Sequence, residues 1–384
     1  MTIADIQPLV FNVSAKTNWF FVKLRLADGA HGYGEASLNG WEEPMLAYLQ
    51  RLGSAVIGST PEQARPMLRT YPHSPGGLIA NAIRSALEQA LLDAEARSRS
   101  LPVHALLGTR QRSRVRMYAN INRATVDRSP AGCARSAVTA VEQGFTAVKI
   151  APFDGVRRSE LAQAEMRNAI AAGIERVLAM REAIGPDIDL MVDCHWRFDE
   201  PTAVEVLKRL APARLFWFEC PVPEGPLWYG SLARVRAAAS EQGVLLAGAE
   251  TQSAVDGFRP FIEPPLLDVI MPDVKYAGGL APTLAIAELA HRHGVIPSPH
   301  NPTGPVCTYA SLHVAACAPE LPLLELQVGE SPLYFDLVRG VRPPFADGCF
   351  TVPDCPGLGI DLDEALVRAH PYRPVPYGPE EQLG

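Results

Sequence analysis

A chain of 384 residues with 47% apolar and 20% charged side chains is long enough to bury a large core without covalent staples. A formal net charge of −7 excludes a broad basic footprint for nucleic acid or an anionic membrane, so an acidic ligand would need a locally positive site such as a metal. Seven scattered cysteines without CxxC spacing exclude a disulfide framework and a metal finger. The amino-terminal stretch lacks a basic segment followed by an apolar core, and no apolar run reaches the ~20 residues of a membrane span, so a cytoplasmic protein is expected.

In chain order, the first ~30 residues alternate as strands do. Trp19–Leu26 is followed by Asp28-Gly29, a hairpin turn signal, and then by His31–Glu35. From Ala80 to Arg97 apolar residues recur at helical spacing, with Ile83, Leu87, Ala90, Leu91 and Ala94 on one face. Residues 1–112 read as an α+β capping domain, bounded by the basic, polar stretch Thr109–Arg114.

A different rhythm follows. Eight short apolar strands are expected at Val115–Ala119, Ala147–Ile150, Asp189–Val192, Leu215–Phe218, Leu245–Gly248, Val269–Pro272, Val295–Pro299 and Leu323–Leu326. Helices are expected between them, among others at Asp199–Leu210, Tyr229–Gln242 and Ala281–His293, where Gly294 supplies the stop. Eight strand–helix units make residues 113–339 an α/β chain of the (β/α)8 TIM-barrel type, with 340–384 returning to pack on the capping domain. A doubly wound open sheet is the alternative, weakened by the lack of GxGxxG after the first strand.

The acids sit where such a barrel does its chemistry. Asp193, Glu219 and Glu250 each follow a strand on consecutive units, positions that converge on the mouth at the strands' carboxyl ends. Three carboxylates at one point repel and raise one another's pKa unless a hard divalent cation joins them, and an all-oxygen set suits Mg²⁺. Any one of them alone would read as a solvated loop acid. Asp273 and His300 end the next two strands and form a candidate carboxylate–imidazole dyad, the His as base. Glu325 follows, either donating a proton to a developing oxyanion or tying loops together. His195, two residues after Asp193 on an extended segment, shares its face and either acts in the mouth or holds Asp193. Arg197 either pairs with substrate or is a solvated loop residue. Lys149 either neutralises a substrate carboxylate or packs its stem.

Together these pieces resemble the enolase superfamily, specifically its mandelate racemase branch. The residues that carry the likeness are Lys149, Asp193 with His195, Glu219, Glu250, Asp273 and His300, with Tyr33-Gly-Glu35 early and Pro356–Gly359 late. The resemblance implies a capping domain on a modified (β/α)8 barrel, Mg²⁺ held by Asp193, Glu219 and Glu250, a His300–Asp273 base, and a homo-oligomer. The run from Asp193 to Arg197 is similar to that of galactonate and mannonate dehydratases, which implies that His195 is the acid assisting loss of the β-hydroxyl. Two departures stand out. Racemases of this branch carry Lys-x-Lys on the second barrel strand, where this chain has Lys149-Ile-Ala151. Many relatives read Glu-Glu-Pro where Glu219-Cys220-Pro221 stands.

The expectation is therefore an Mg²⁺-dependent carbon–oxygen lyase that dehydrates a small sugar acid, an aldonate or possibly an aldarate, to a 2-keto-3-deoxy acid. An epimerase, racemase or lactone cycloisomerase using the same enolate is the first alternative, and a non-catalytic binding protein is a remote one. A metal-dependent hydrolase would want His-x-His on the first strand, which Met117–Ile121 lacks. First-domain stretches Ala15–Phe20 and Leu38–Glu43, with Trp19 and Trp41, are expected to cover the mouth and touch the substrate's far end. Their low charge favours a neutral end, unless His73 or Arg123 supplies a cation.

Overall fold

The computed structural model describes residues 1–70, 77–340 and 342–375; His73 lies outside them. The first unit is an antiparallel sheet of β1 (Ile3–Asn12), β2 (Asn18–Leu26) and β3 (His31–Glu35). It is followed by α1 (Glu42–Val56), α2 (Pro61–Thr70), α3 (Leu78–Ser98) and the short α4 (His104–Leu107). The hairpin lies where Asp28-Gly29 predicts it, with Gly29 at φ 92°. Helix α3 is buried over most of its surface because it lies on β3 so closely that a Cβ on Gly34 would stand 1.9 Å from the Ala86 carbonyl oxygen. Phe20, Val22, Leu24, Ile83, Leu87 and Leu91 fill the core between sheet and helices.

The second unit alternates strands and helices. Its strands are β4 (Arg114–Asn120), β5 (Ala147–Ile150), β6 (Asp189–Asp193), β7 (Trp217–Glu219), β8 (Leu245–Gly248), β9 (Val269–Ile270), β10 (Ile296–Pro297) and β11 (Leu324–Gln327). Between them run α5 (Pro130–Glu142), α6 (Ala164–Ile184), α7 (Glu200–Arg209), α8 (Tyr229–Ser240), α9 (Ala254–Ile262), α10 (Val274–Ala277), α11 (Leu280–Arg292) and α12 (Pro305–Cys317). Each of β4 to β9 pairs in parallel with the next, and β11 pairs in parallel with β4. Ser298 Oγ donates to the Leu323 carbonyl at 2.9 Å across the remaining seam, so the sheet is a closed α/β barrel. The strands read as continuous apolar runs because both faces are covered. Tyr118, Met191, Trp217, Val269, Met271 and Leu323 plug the interior. All eight expected strands are present, and the four helices bounded beforehand fall within about two residues of their expected ends.

The last segment holds β12 (Val338–Gly340), β13 (Phe345–Ala346), β14 (Cys349–Thr351), β15 (Ile360–Leu362) and α13 (Glu364–Ala369). It serves both units. β14 pairs antiparallel with β4, whereas Leu358 N donates to Asp93 of α3 at 2.8 Å and Lys23 meets Glu364 at 2.6 Å. Among the described residues, no helix is long and apolar enough to cross a membrane.

The capping unit meets the barrel at the loops after its strands. Ser85 Oγ donates to the Val274 carbonyl at 2.7 Å, Glu88 accepts from Leu280 N at 2.7 Å, and Glu35 reaches the loop before α12. The mouth is thus walled by both units.

Candidate active site

The strand-end rule brings three acids to one point. One carboxylate oxygen from each of Asp193, Glu219 and Glu250 lies within 4.8 Å of the others, and all three residues are buried. Asp193 and Glu219 are paired in register at the ends of β6 and β7, and Glu250 follows β8 after a left-handed residue, Ala249 at φ 69°. Burial, reinforced by Asp193, pushes the Glu250 acid up to about 8. Burial likewise raises Glu219, against the pull of Lys149. Burial alone would raise Asp193 too, but the His195 imidazole and Lys149 hold it at about 2. Glu250 Oε2 is buried with no hydrogen-bond partner. An orphaned buried oxygen in a set of hard donors that resist ionising side by side fits a divalent cation of the Mg²⁺ type.

Both oxygens of Glu219 are also oriented by the protein. Lys149 Nζ donates to Oε1 at 2.6 Å, and Trp217 Nε1, two residues back on the same strand face, donates to Oε2 at 2.8 Å. Lys149 also meets Glu325 Oε1 at 3.1 Å and is 1% exposed. It lies inside the cluster, not at the rim where a substrate carboxylate would arrive first. Burial works against its charge, but the two glutamates raise its proton affinity well above the ordinary value.

The surroundings of Glu325 favour its carboxylate form. Burial would raise its pKa, but Lys149, His300, the Asn301 amide and the Asn120 side chain together lower it. Its oxygens accept from Asn120 Nδ2 at 2.7 Å and Asn301 N at 2.8 Å. Of the two roles read from the sequence, the geometry matches tying loops together.

The two imidazoles stand on different strand ends. His300 Nδ1 is 2.9 Å from Asp273 Oδ2, and Nε2 is 3.6 Å from Glu250 Oε2. The same Asp273 oxygen also meets Lys275 Nζ at 3.1 Å. Burial opposes ionisation of Asp273, yet Lys275 and His300 hold it below its usual value. His195 Nε2 lies 2.6 Å from Asp193 Oδ2, and its amide donates to Oδ1 at 2.9 Å. It does not share a strand face as expected. β6 ends at Asp193, and His195 and Trp196 take left-handed φ values of 47° and 55°, folding the ring back onto the carboxylate. Burial disfavours its imidazolium, but Asp193 makes the net shift upward.

The expected substrate contacts fare unevenly. Trp19 is 1% exposed, stacked on Phe11 with centroids 5.7 Å apart and edge-on to Tyr334 at 5.5 Å, so it supports the wall instead of presenting a surface. Trp41 is half-buried ahead of α1 against the capping core. Arg197 Nη1 donates to the Val156 carbonyl at 2.8 Å and Arg123 meets Glu330 Oε2 at 2.7 Å. Lys275, Asn120, Trp217 and Glu35 were not picked out from the sequence as site residues. Asn120 and Trp217 were within reach of the strand-end and same-face rules that found the acids. Lys275, two residues past Asp273, was discoverable as a charge in an apolar run.

Comparison with known proteins gives a consistent result. Residues 3–108 match the model for the mandelate racemase/muconate lactonizing enzyme N-terminal domain, and residues 132–366 match that for the enolase C-terminal domain-like family. The chain is 30% identical to a D-gluconate dehydratase of Thermoproteus tenax, over 99% of this chain and 76% of the relative. It is 30% identical to a D-xylonate dehydratase of Haloferax volcanii, over 96% and 88% respectively. A solved mandelate racemase/muconate lactonizing enzyme from Jannaschia sp. CCS1 superposes with a TM-score of 0.85 at 26% identity, covering 97% of this chain and 98% of that one.

Proposed function

The chain belongs to the mandelate racemase/muconate lactonizing enzyme family of the enolase superfamily, and from that premise we propose that it is a hydro-lyase that dehydrates a sugar acid to a 2-keto-3-deoxy acid. The observation that carries this reading is the pair of imidazoles, each on its own carboxylate, flanking one triad of buried acids. The names of the similar dehydratases support it.

Asp193, Glu219 and Glu250 would hold Mg²⁺, which when bound supplies positive charge against the enolate formed as C2 loses its proton. His300 takes the C2 proton. Asp273 fixes its ring by Nδ1, leaving Nε2 as the accepting atom on the side of Glu250. His195 supplies the proton that leaves with the C3 hydroxyl, and its raised proton affinity suits that role. Lys149 acts from within the cluster, orienting Glu219 and Glu325 and adding a fixed positive charge to the floor of the site. The resulting enol tautomerises to the ketone.

The substrate's far end is proposed to be neutral, an aldonate in preference to an aldarate. Three guanidinium groups in loops after the barrel strands are already engaged: Arg123 by Glu330, Arg158 by the Trp196 carbonyl at 2.6 Å, and Arg197 by the Val156 carbonyl. The chain is read as a cytoplasmic homo-oligomer with the small acid as its partner.

A library of sugar acids, followed by semicarbazide detection of 2-keto acids with Mg²⁺ present, tests the activity. With the substrate so found, His300→Asn is expected to abolish exchange of the C2 hydrogen with D₂O, and His195→Asn to slow elimination more than exchange, each by about 10²–10⁴-fold. Deuterated starting acid accumulating without ketone would instead identify an epimerase.

A further inference from the structure

The loop that carries His300 into α12 is held by two buried carboxylates from opposite sides. From the barrel, Glu325 Oε2 accepts from Asn301 N at 2.8 Å, and Asn301 Nδ2 donates to Thr308 Oγ1 at 2.7 Å. From the capping unit, Glu35 at the end of β3 reaches across. Its Oε1 accepts from Thr303 Oγ1 at 2.6 Å, Gly304 N at 2.7 Å and Ser37 Oγ at 2.7 Å. Its Oε2 accepts from Cys307 N at 2.9 Å. Glu35 is fully buried, and its own amide and carbonyl are bonded to the Gln89 side chain of α3 at 3.0 and 3.1 Å.

A carboxylate at the start of a helix satisfies open amides and meets the positive end of the helix dipole. That much would be capping alone. Two further facts extend it. Thr303 and Gly304 precede α12 and belong to the loop that leaves His300, so Glu35 grips the loop as well as the helix. The approach is also too close to slacken: a Cβ on Gly304 would lie 2.7 Å from Glu35 Oε1 and 3.0 Å from the Trp19 ring, which closes the loop's other side.

We propose that Glu35 is a positioning residue for His300, holding the loop 301–304 in place from the capping unit so that the imidazole stays on Asp273 with Nε2 toward the acid triad. The capping unit then has a part in the chemistry itself, because the base is in register only while β3 is docked. This rests on the reading of His300 as the base.

The test uses the full chain with Mg²⁺ present and two variants, Glu35→Gln and Thr303→Val. The second removes one hydroxyl from the Glu35 carboxylate and leaves the charge untouched, which keeps the test open if the first folds poorly. Misplacing a reacting group by about 1 Å costs on the order of a hundredfold in rate, so a partial loosening is expected to lower kcat by about tenfold in each variant. KM and Mg²⁺ affinity should change by less than about twofold, since no ligand contact is altered. Modification of His300 by diethyl pyrocarbonate, followed by peptide mass spectrometry, should become several times faster in both variants. Lower melting temperatures with unchanged kcat per folded molecule and an unchanged His300 modification rate would reduce Glu35 to a helix cap and overturn the proposal. A loss of turnover that tracks Mg²⁺ affinity would do the same. If the wild type turns over no sugar acid, the dehydratase reading fails by itself, and the His300 modification rate still decides the role of Glu35.

Discussion

Binding of Mg²⁺ is expected to release a proton, and the size of the effect follows from Glu250. Its acid sits at about 8 against an ordinary 4.5, raised first by burial and then by Asp193. The difference corresponds to about 5 kcal/mol of preference for the neutral form in the folded chain. The sign is that of a raised acid. Its contribution to stability is complete below about pH 4.5 and is lost as pH climbs through about 8, where the folded chain must carry the buried charge. A cation requires that charge. From Glu250, therefore, each Mg²⁺ displaces about one proton at pH 6 to 7 and about half of one at pH 8, and apparent affinity should rise about tenfold from pH 6 to 7 and about fivefold from pH 7 to 8 before levelling. With free Mg²⁺ fixed at 100 times its Kd at pH 8, the added stability should be about 2.7 kcal/mol there, about 1.7 at pH 7 and about 0.6 at pH 6. Titration calorimetry in two buffers of different ionisation enthalpy counts the proton, and thermal melts with and without Mg²⁺ give the increments. Glu250→Gln should lose the pH slope. An affinity that is flat from pH 6 to 8, with no proton released, would refute the placement of Glu250 as a cation ligand forced to ionise.

Three other perturbations have defined outcomes. Lys149→Met leaves Glu219 and Glu325 without the ammonium group that lies 2.6 and 3.1 Å from them, and urea unfolding should show a loss of about 3–5 kcal/mol. Gly34→Ala puts a methyl 1.9 Å from the Ala86 carbonyl oxygen, which α3 cannot yield without leaving the sheet; the melt should fall by the equivalent of about 1–3 kcal/mol or more. Glu330→Gln removes the counter-ion of Arg123, and the ratio of kcat/KM for a diacid over an aldonate should rise about tenfold, roughly 1.4 kcal/mol. An unchanged ratio would place Arg123 away from the substrate.

The barrel was legible because its strands are covered on both faces and so read as apolar runs, each ending in a residue too polar to continue. That same interruption marks Asp193, Glu219, Glu250, Asp273 and His300, and the structure gathers all five around one mouth. What the sequence hid was direction and partnership. Nothing local distinguishes a Lys149 that faces a ligand from one enclosed by two glutamates. Trp19 lies in a strand of alternating character, and only the loop folded against it from residue 304 explains why it is covered. His195 converges on Asp193 through a left-handed turn that strand periodicity does not describe. Glu35 is distant from Thr303 in sequence, and neither segment records the other.

The second barrel strand shows how these constraints shape the chemistry under the proposed reading. Lys149 is held as a cation between two carboxylates, and Ala151, in the place where racemases of this branch carry a second lysine, is a buried methyl. β5 therefore contributes charge and no proton transfer. The transfers fall to His300 and His195, tethered to separate acids, Asp273 and Asp193. Asp273 is shared with Lys275, which offsets part of its field at His300, whereas Asp193 acts on His195 through both oxygens. Burial opposes the His195 imidazolium, yet Asp193 tips that ring toward it, leaving it with a proton to give. Elimination needs that condition, because a proton must leave C2 while another reaches the hydroxyl on C3.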